Sequence, residues 1–168
     1  ASQVLGLVDR SLLDGEDLQR RLDREGRPPL GEAVALALQL CRGLAAAHAH
    51  GVVHRDLKPS NIFLSAGVDG RVTVKLLDFG VAKLAGAEEI TRTGAVVGTP
   101  SYMPPEQARG SLRVDERADV YSVGAVLYHL VCGRAPYVAG DATATLGRLL
   151  QDEPERPRKL DPSIPESV

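Results

Sequence analysis

His54-Arg55-Asp56-Leu57-Lys58-Pro59-Ser60-Asn61, followed downstream by Asp78-Phe79-Gly80, is the stretch on which the reading of this chain turns. A further block, Gly98-Thr99-Pro100 to Pro105-Glu106, comes after it in order. Three ordered blocks at set spacing are far harder to meet by chance than one short motif. Upstream, Leu30 to His50 reads as a helix. Val34, Leu38, Cys41 and Ala45 fall on one stripe, and Leu36, Leu40 and Leu44 widen it until most of the surface is apolar. Such a helix is expected to be buried on several sides, and Gly51 ends it. Before it, about Asp14 to Glu25 reads as a short helix with Leu18 and Leu22 on one face, stopped by Gly26 and Pro28.

Downstream, Ile62-Phe63-Leu64 and Val72-Thr73-Val74-Lys75-Leu76-Leu77 read as two short strands, with a hairpin turn at Gly67–Gly70. From Ala85 to Pro105 the composition shifts to Gly, Thr and Pro with little periodicity, which marks a long functional loop. A second buried helix is expected from about Asp115 to Cys132, stopping at Gly133, and a weaker one from Asp141 to Gln151. The tail Pro154–Pro165 reads as irregular, and no internal repeat is visible.

A chain of 168 residues, 43% hydrophobic and 25% charged, has the size and composition of one soluble domain with a core. Its net charge of −2 gives no electrostatic reason to expect nucleic-acid or anionic-membrane binding. Lysine occurs only at positions 58, 75, 83 and 159, so arginine carries most of the positive charge, as in GC-rich bacterial genomes. Cys41 and Cys132 lie in apolar helical runs and are expected to behave as small buried hydrophobes. They make no disulfide framework, so a reducing, cytoplasmic setting is the simpler expectation. No secretory leader is visible, and the apolar stretches Ala33–Ala47 and Val120–Cys132 read as too short for a bilayer span.

In its three blocks the chain resembles the Hanks-type serine/threonine protein kinases, particularly their bacterial branch. The resemblance implies a mainly α fold with a small β-hairpin, the protein-kinase-like C-lobe of an α+β architecture, truncated at both ends. It divides residues 1–168 into a hinge remnant at 1–13, a catalytic loop at 52–61, an activation segment at 78–106 and a central buried helix at 115–133. It implies ATP and Mg2+ as cofactors, and proteins bearing Ser or Thr as substrates. Asp56 matches the aspartate that takes or orients the proton of the attacking hydroxyl, and Lys58 the cation placed against the transferred phosphate. Asn61 and Asp78 would supply oxygens to magnesium, a hard cation, and Asp17 falls where the ribose is often contacted.

Thr99 in Gly-Thr-Pro-x-Tyr, together with Lys58, is similar to the serine/threonine group, and its block would form the floor under a peptide. Arg55 immediately before Asp56 implies activation by phosphorylation of the following loop, with Thr91 or Thr93 as acceptor. His54, Phe79, Gly80, Glu106 and Asp119 take structural places: His54 and Phe79 in a hydrophobic spine, Asp119 beneath the catalytic-loop backbone. Against these stand plainer readings. Asp56 and Asp78 can be ordinary loop carboxylates, Asp119 a solvent-facing residue near a helix start, and Thr91 and Thr93 merely polar. His48 and His50 look like a metal pair but have no third ligand, so they, and His129, read as surface or packing residues.

No G-x-G-x-x-G occurs, and Lys75, three residues before Asp78, is the usual strand lysine ahead of the metal turn. The chain is therefore expected to begin at the hinge, to lack the N-terminal lobe that a parent protein would carry, and to be inactive in isolation. Asp9, Arg10 and Ser11 depart from the family's apolar hinge, and Pro104 replaces a common alanine. The arginine that usually pairs with Glu106 is expected to be cut off, with Arg156 or Arg158 as substitutes if the chain folds back. A buried carboxylate without its partner costs roughly 3–5 kcal/mol. A truncated pseudokinase serving as a binding module, and a small-molecule phosphotransferase, are the alternative functions.

Overall fold

In the computed structural model, which describes residues 14–67, 70–79, 100–111 and 114–166, residues 15–17 form a strand where a helix is expected. Strand β1 (Gly15–Asp17) pairs antiparallel with β2 (Ile62–Ala66), matching Gly15 to Ser65 and Asp17 to Phe63. Gly15 makes this possible. Its φ is +142°, and a Cβ built there would run into the Leu64 carbonyl oxygen and the Phe63 ring. Only glycine tolerates both conditions. Gly15→Ala is expected to cost at least about 1–3 kcal/mol, read as a lower urea midpoint. An unchanged midpoint would mean that β1 does not press on β2 in this way.

The helix then starts late. Helix α1 (Leu18–Glu25) takes Asp17 as its N-cap, buries Leu18 and Leu22, and ends where Gly26 at φ 72° donates its N–H to the Leu22 carbonyl. Helix α2 (Leu30–His48) follows Pro28-Pro29. Its buried residues are Ala33, Leu36, Ala37, Leu40 and Leu44, whereas Val34 (39% exposed), Leu38 (54%), Cys41 and Ala45 face outward. Burial is thus one-sided, on the face expected only to widen the stripe, and Cys41 is an exposed thiol. Both stripes are apolar, so periodicity could not choose between them. At 19 residues α2 is also long and apolar enough to cross a membrane by length and composition, contrary to the shorter run read from the sequence.

Strands β2 and β3 (Val72–Leu76) form the expected hairpin, with the Gly70 N–H on the Gly67 carbonyl at 2.9 Å. With β1 the sheet has, among the described residues, three antiparallel strands in the order β1-β2-β3. Leu77 lies beyond the strand, yet its N–H still bonds the Asn61 carbonyl at 2.9 Å.

Helix α3 (Pro105–Ala108) is a single turn. Helix α4 (Arg117–Cys132) carries buried Asp119, Ser122, Val126 and Leu130 and stops at Gly133 in the left-handed conformation. Helix α5 (Ala142–Gln151) is capped by Asp141, and a short α6 (Pro157–Leu160) interrupts the tail expected to be irregular, with proline in its first turn. Helices α2 and α4 pack against each other, and β3 lies along α2. Their shared core takes in Leu57 and Ile62, which bracket the motif loop, and reaches Ile164 near the end. Arg27 clips this end down: it donates to the Val131 carbonyl at 3.1 Å and pairs with Asp161 at 2.5 Å.

Candidate active site

The loop between α2 and β2 is held from below by a carboxylate. Asp119, in the first turn of α4, is 0% exposed. Its Oδ2 accepts the His54 backbone N–H at 2.8 Å and the His48 ring Nε2–H at 2.7 Å, and its Oδ1 accepts the Arg55 N–H at 2.8 Å. A buried carboxylate is tolerated only with such donors. The solvent-facing alternative for Asp119 does not describe this structure.

His54 is 0% exposed and works as a brace. Its Nδ1 accepts the Asp56 N–H at 3.3 Å, so Nε2 carries the proton and donates to the Leu77 carbonyl at 3.0 Å. Its ring lies 4.7 Å from that of Phe79. The loop is thereby tied to the segment that presents Asp78. Two residues pay for this geometry with backbone strain: Arg55 at φ 63° and Asp78 at φ 52° both sit in the left-handed region.

Burial lowers the pKa of His54, against smaller opposing contributions from the Leu77 carbonyl, Asp119 and Asp56. Burial likewise lowers that of His129, whose Nδ1 accepts the Tyr102 hydroxyl at 2.6 Å. For both, the folded value lies below the unfolded one of about 6.5, so unfolded chains take up protons first as pH falls. Their stabilising contribution is present above about pH 6.5 and is lost as pH falls toward the folded values. The urea midpoint should drop between about pH 7.5 and pH 5, and less so in His129→Gln. A flat profile would contradict buried, neutral rings.

Above the brace, polar side chains converge. Lys58 Nζ donates to Asp56 Oδ2 at 3.0 Å. Asn61 Nδ2 donates to the Asp56 carbonyl at 2.9 Å and to its Oδ2 at 3.2 Å. Asn61 stands at the end of a 3-10 turn, Pro59–Asn61, and is 5% exposed. Asp78 is exposed and follows Leu77, whose N–H holds the Asn61 carbonyl. With its NH2 engaged on Asp56, Asn61 has its amide oxygen left as acceptor. Together with the Asp78 carboxylate this is an all-oxygen donor pair, the chemistry that suits magnesium completed by phosphate and water. Among the described residues there is no cluster of three or more His, Cys, Asp or Glu that could hold a metal.

The other expected residues fall as follows. Asp17 caps α1, accepting the Arg20 N–H at 3.0 Å, and that capping accounts for it locally. Glu106 is half-buried in α3, so the cost foreseen for a fully buried carboxylate does not apply in full. Arg158 lies 3.5 Å from Glu166 and Arg156 is exposed at the start of α6; among the described residues neither is paired with Glu106. Gly80, Thr91, Thr93 and Thr99, and the hinge residues Asp9 to Leu13, lie outside the described residues.

The sequence matches the protein kinase domain family over residues 7–165. The chain belongs to that family. It is similar to the serine/threonine-protein kinase PkaA of Streptomyces coelicolor, 44% identical over 155 residues that cover 92% of this chain and 28% of that protein. Serine/threonine-protein kinase pkn3 of Myxococcus xanthus is 41% identical, with 88% and 28% covered, and PknB of Mycobacterium leprae 37%, with 90% and 24%. The chain thus spans about a quarter of the length of these relatives. The resemblance to bacterial Hanks-type kinases, carried by the three blocks, holds.

Some contacts in this kinase chain were invisible in its sequence. His48, expected to be a surface or packing residue, lies on Asp119, 71 positions away; only the packing of α2 on α4 brings them together. His50 does stay at the surface, on the Ala46 carbonyl. Gln107 donates to the Arg55 carbonyl at 3.0 Å, and Ser122 Oγ to the Tyr102 carbonyl at 2.9 Å. No spacing rule points to these partners.

Proposed function

We propose that this chain is the catalytic-loop lobe of a bacterial serine/threonine protein kinase, with the loop at 52–61, the activation segment at 78–106 and the scaffold helix at 115–133. The observation that carries the reading is the convergence of Lys58 and Asn61 on Asp56, over a loop whose backbone Asp119 holds. Phosphoryl transfer asks a protein chiefly for positioning and charge neutralisation. Asp56 orients and accepts the proton of a Ser or Thr hydroxyl, from an oxygen kept in place by two donors. Lys58 sets a positive charge beside the group in transfer. Asn61 and Asp78 present the oxygens for magnesium, which, when bound with ATP, neutralises charge on the phosphates.

In this reading Thr99 contacts the peptide and Asp17 the ribose. Arg55 receives a phosphorylated Thr91 or Thr93; its Nε has no partner among the described residues, which leaves the guanidinium a donor not yet used. The glycine-rich phosphate cover and its lysine, which this sequence does not contain, would come from a further lobe of the full gene product. The 168-residue chain by itself is then expected to be inert. The test is transfer of labelled phosphate from ATP to protein, comparing this chain with the full gene product. Labelling of protein Ser or Thr by the full product alone is expected. A full product that labels nothing, or labels only small alcohols, sinks the reading.

A further inference from the structure

The peptide joining Arg55 to Asp56 is held on every polar atom around it. The Arg55 N–H donates to Asp119 Oδ1 at 2.8 Å and the Asp56 N–H to His54 Nδ1 at 3.3 Å. The remaining atom, the Arg55 carbonyl oxygen, accepts from Gln107 Nε2 at 3.0 Å. Gln107 comes from α3, 52 positions further along the chain, and is half-buried. Its amide orientation follows from its partner, since the flipped form would face one acceptor with another. Its own Oε1 is buried with no partner among the described residues. An acceptor left in that state is unfavourable, so the glutamine does not serve its own local stability. What it satisfies is the Arg55 carbonyl, on a residue held at φ 63°.

We propose that Gln107 is a positioning residue for Asp56: its side-chain N–H grips the Arg55 carbonyl and fixes the peptide from which the Asp56 carboxylate projects. The inference rests on Asp56 being the catalytic carboxylate. Released from Gln107, the Arg55 carbonyl swings as φ relaxes toward negative values, and the Asp56 carboxylate leaves its place between Lys58 and Asn61. A displacement of α3 reaches the catalytic loop through the same bond, which links the end of the activation segment to the chemistry.

Two variants test this. Gln107→Met keeps the length and removes the donor; Gln107→Glu keeps the shape and sets an acceptor against the carbonyl. In the 168-residue chain, amide exchange of Asp56 followed by NMR should quicken at least about tenfold in both, with α2 amides unchanged. In the full gene product, kcat should fall about 10- to 100-fold while KM for ATP moves little. Should Gln107→Glu fail to fold, Gln107→Met carries both measurements. Unchanged Asp56 exchange overturns the clamp, and faster exchange with unchanged kcat overturns its role in positioning. An inactive wild-type product sinks the kinase reading instead, and the exchange data alone then decide whether the clamp exists.

Discussion

Asp56→Asn in the full gene product should lower phosphoryl transfer by roughly 10²–10⁴-fold, the range that a positioned general base supplies. The substitution keeps size and shape, and Asp56 is only partly buried, so the fold should survive. What changes is the atom at Oδ2. In the wild type it accepts from Lys58 Nζ at 3.0 Å and from Asn61 Nδ2 at 3.2 Å. An amide there loses the charge that draws both donors in, and it cannot take a proton from a hydroxyl. The measurement is kcat on a protein substrate, alongside the urea midpoint of the 168-residue chain. Loss of kcat with a steady midpoint is the expected pair of results. Full activity in the variant would remove Asp56 from the chemistry.

Asp119→Ala should be the most damaging single change to stability, at roughly 3–5 kcal/mol by analogy with buried charge pairs broken on one side. The size follows from what is orphaned. The His54 N–H, the Arg55 N–H and the His48 ring N–H all lose their acceptor, and His54 lies fully inside. Each buried donor left unsatisfied costs about 1–3 kcal/mol. Against a total stability of about 5–15 kcal/mol, such a loss leaves little margin. Arg55, already at φ 63°, also loses the bond that offsets its strain. The urea midpoint reads the effect, and a shift below about 1 kcal/mol would mean that the loop is held by something else.

The cluster around Asp56 is local in sequence, whereas the carboxylate beneath it is not. Asp56, Lys58 and Asn61 lie within six positions of one another, so a local motif already brings their side chains together. The hairpin after them was legible because two β-rich runs flank a glycine turn, and Gly51 and Gly133 correctly marked where helices stop. The start of α1 was misread because Asp14 to Asp17 has no apolar pattern of its own and extends only because β2 offers it an edge. The exposed stripe of α2 was misread for the opposite reason, an excess of pattern: Val34 and Leu38 are as apolar as Leu36 and Leu40, and α4 packs on only one set.

Local spacing along the chain was therefore enough to establish the kinase family and the cluster around Asp56, because those side chains are neighbours before any folding occurs. The carboxylate under the loop, His48 beside it, and the grip of Gln107 on Arg55 join residues 52 to 71 positions apart. Contacts at that distance depend on which faces of α2, α3 and α4 meet. That choice is made by packing the whole core at once, and no short window of residues contains it.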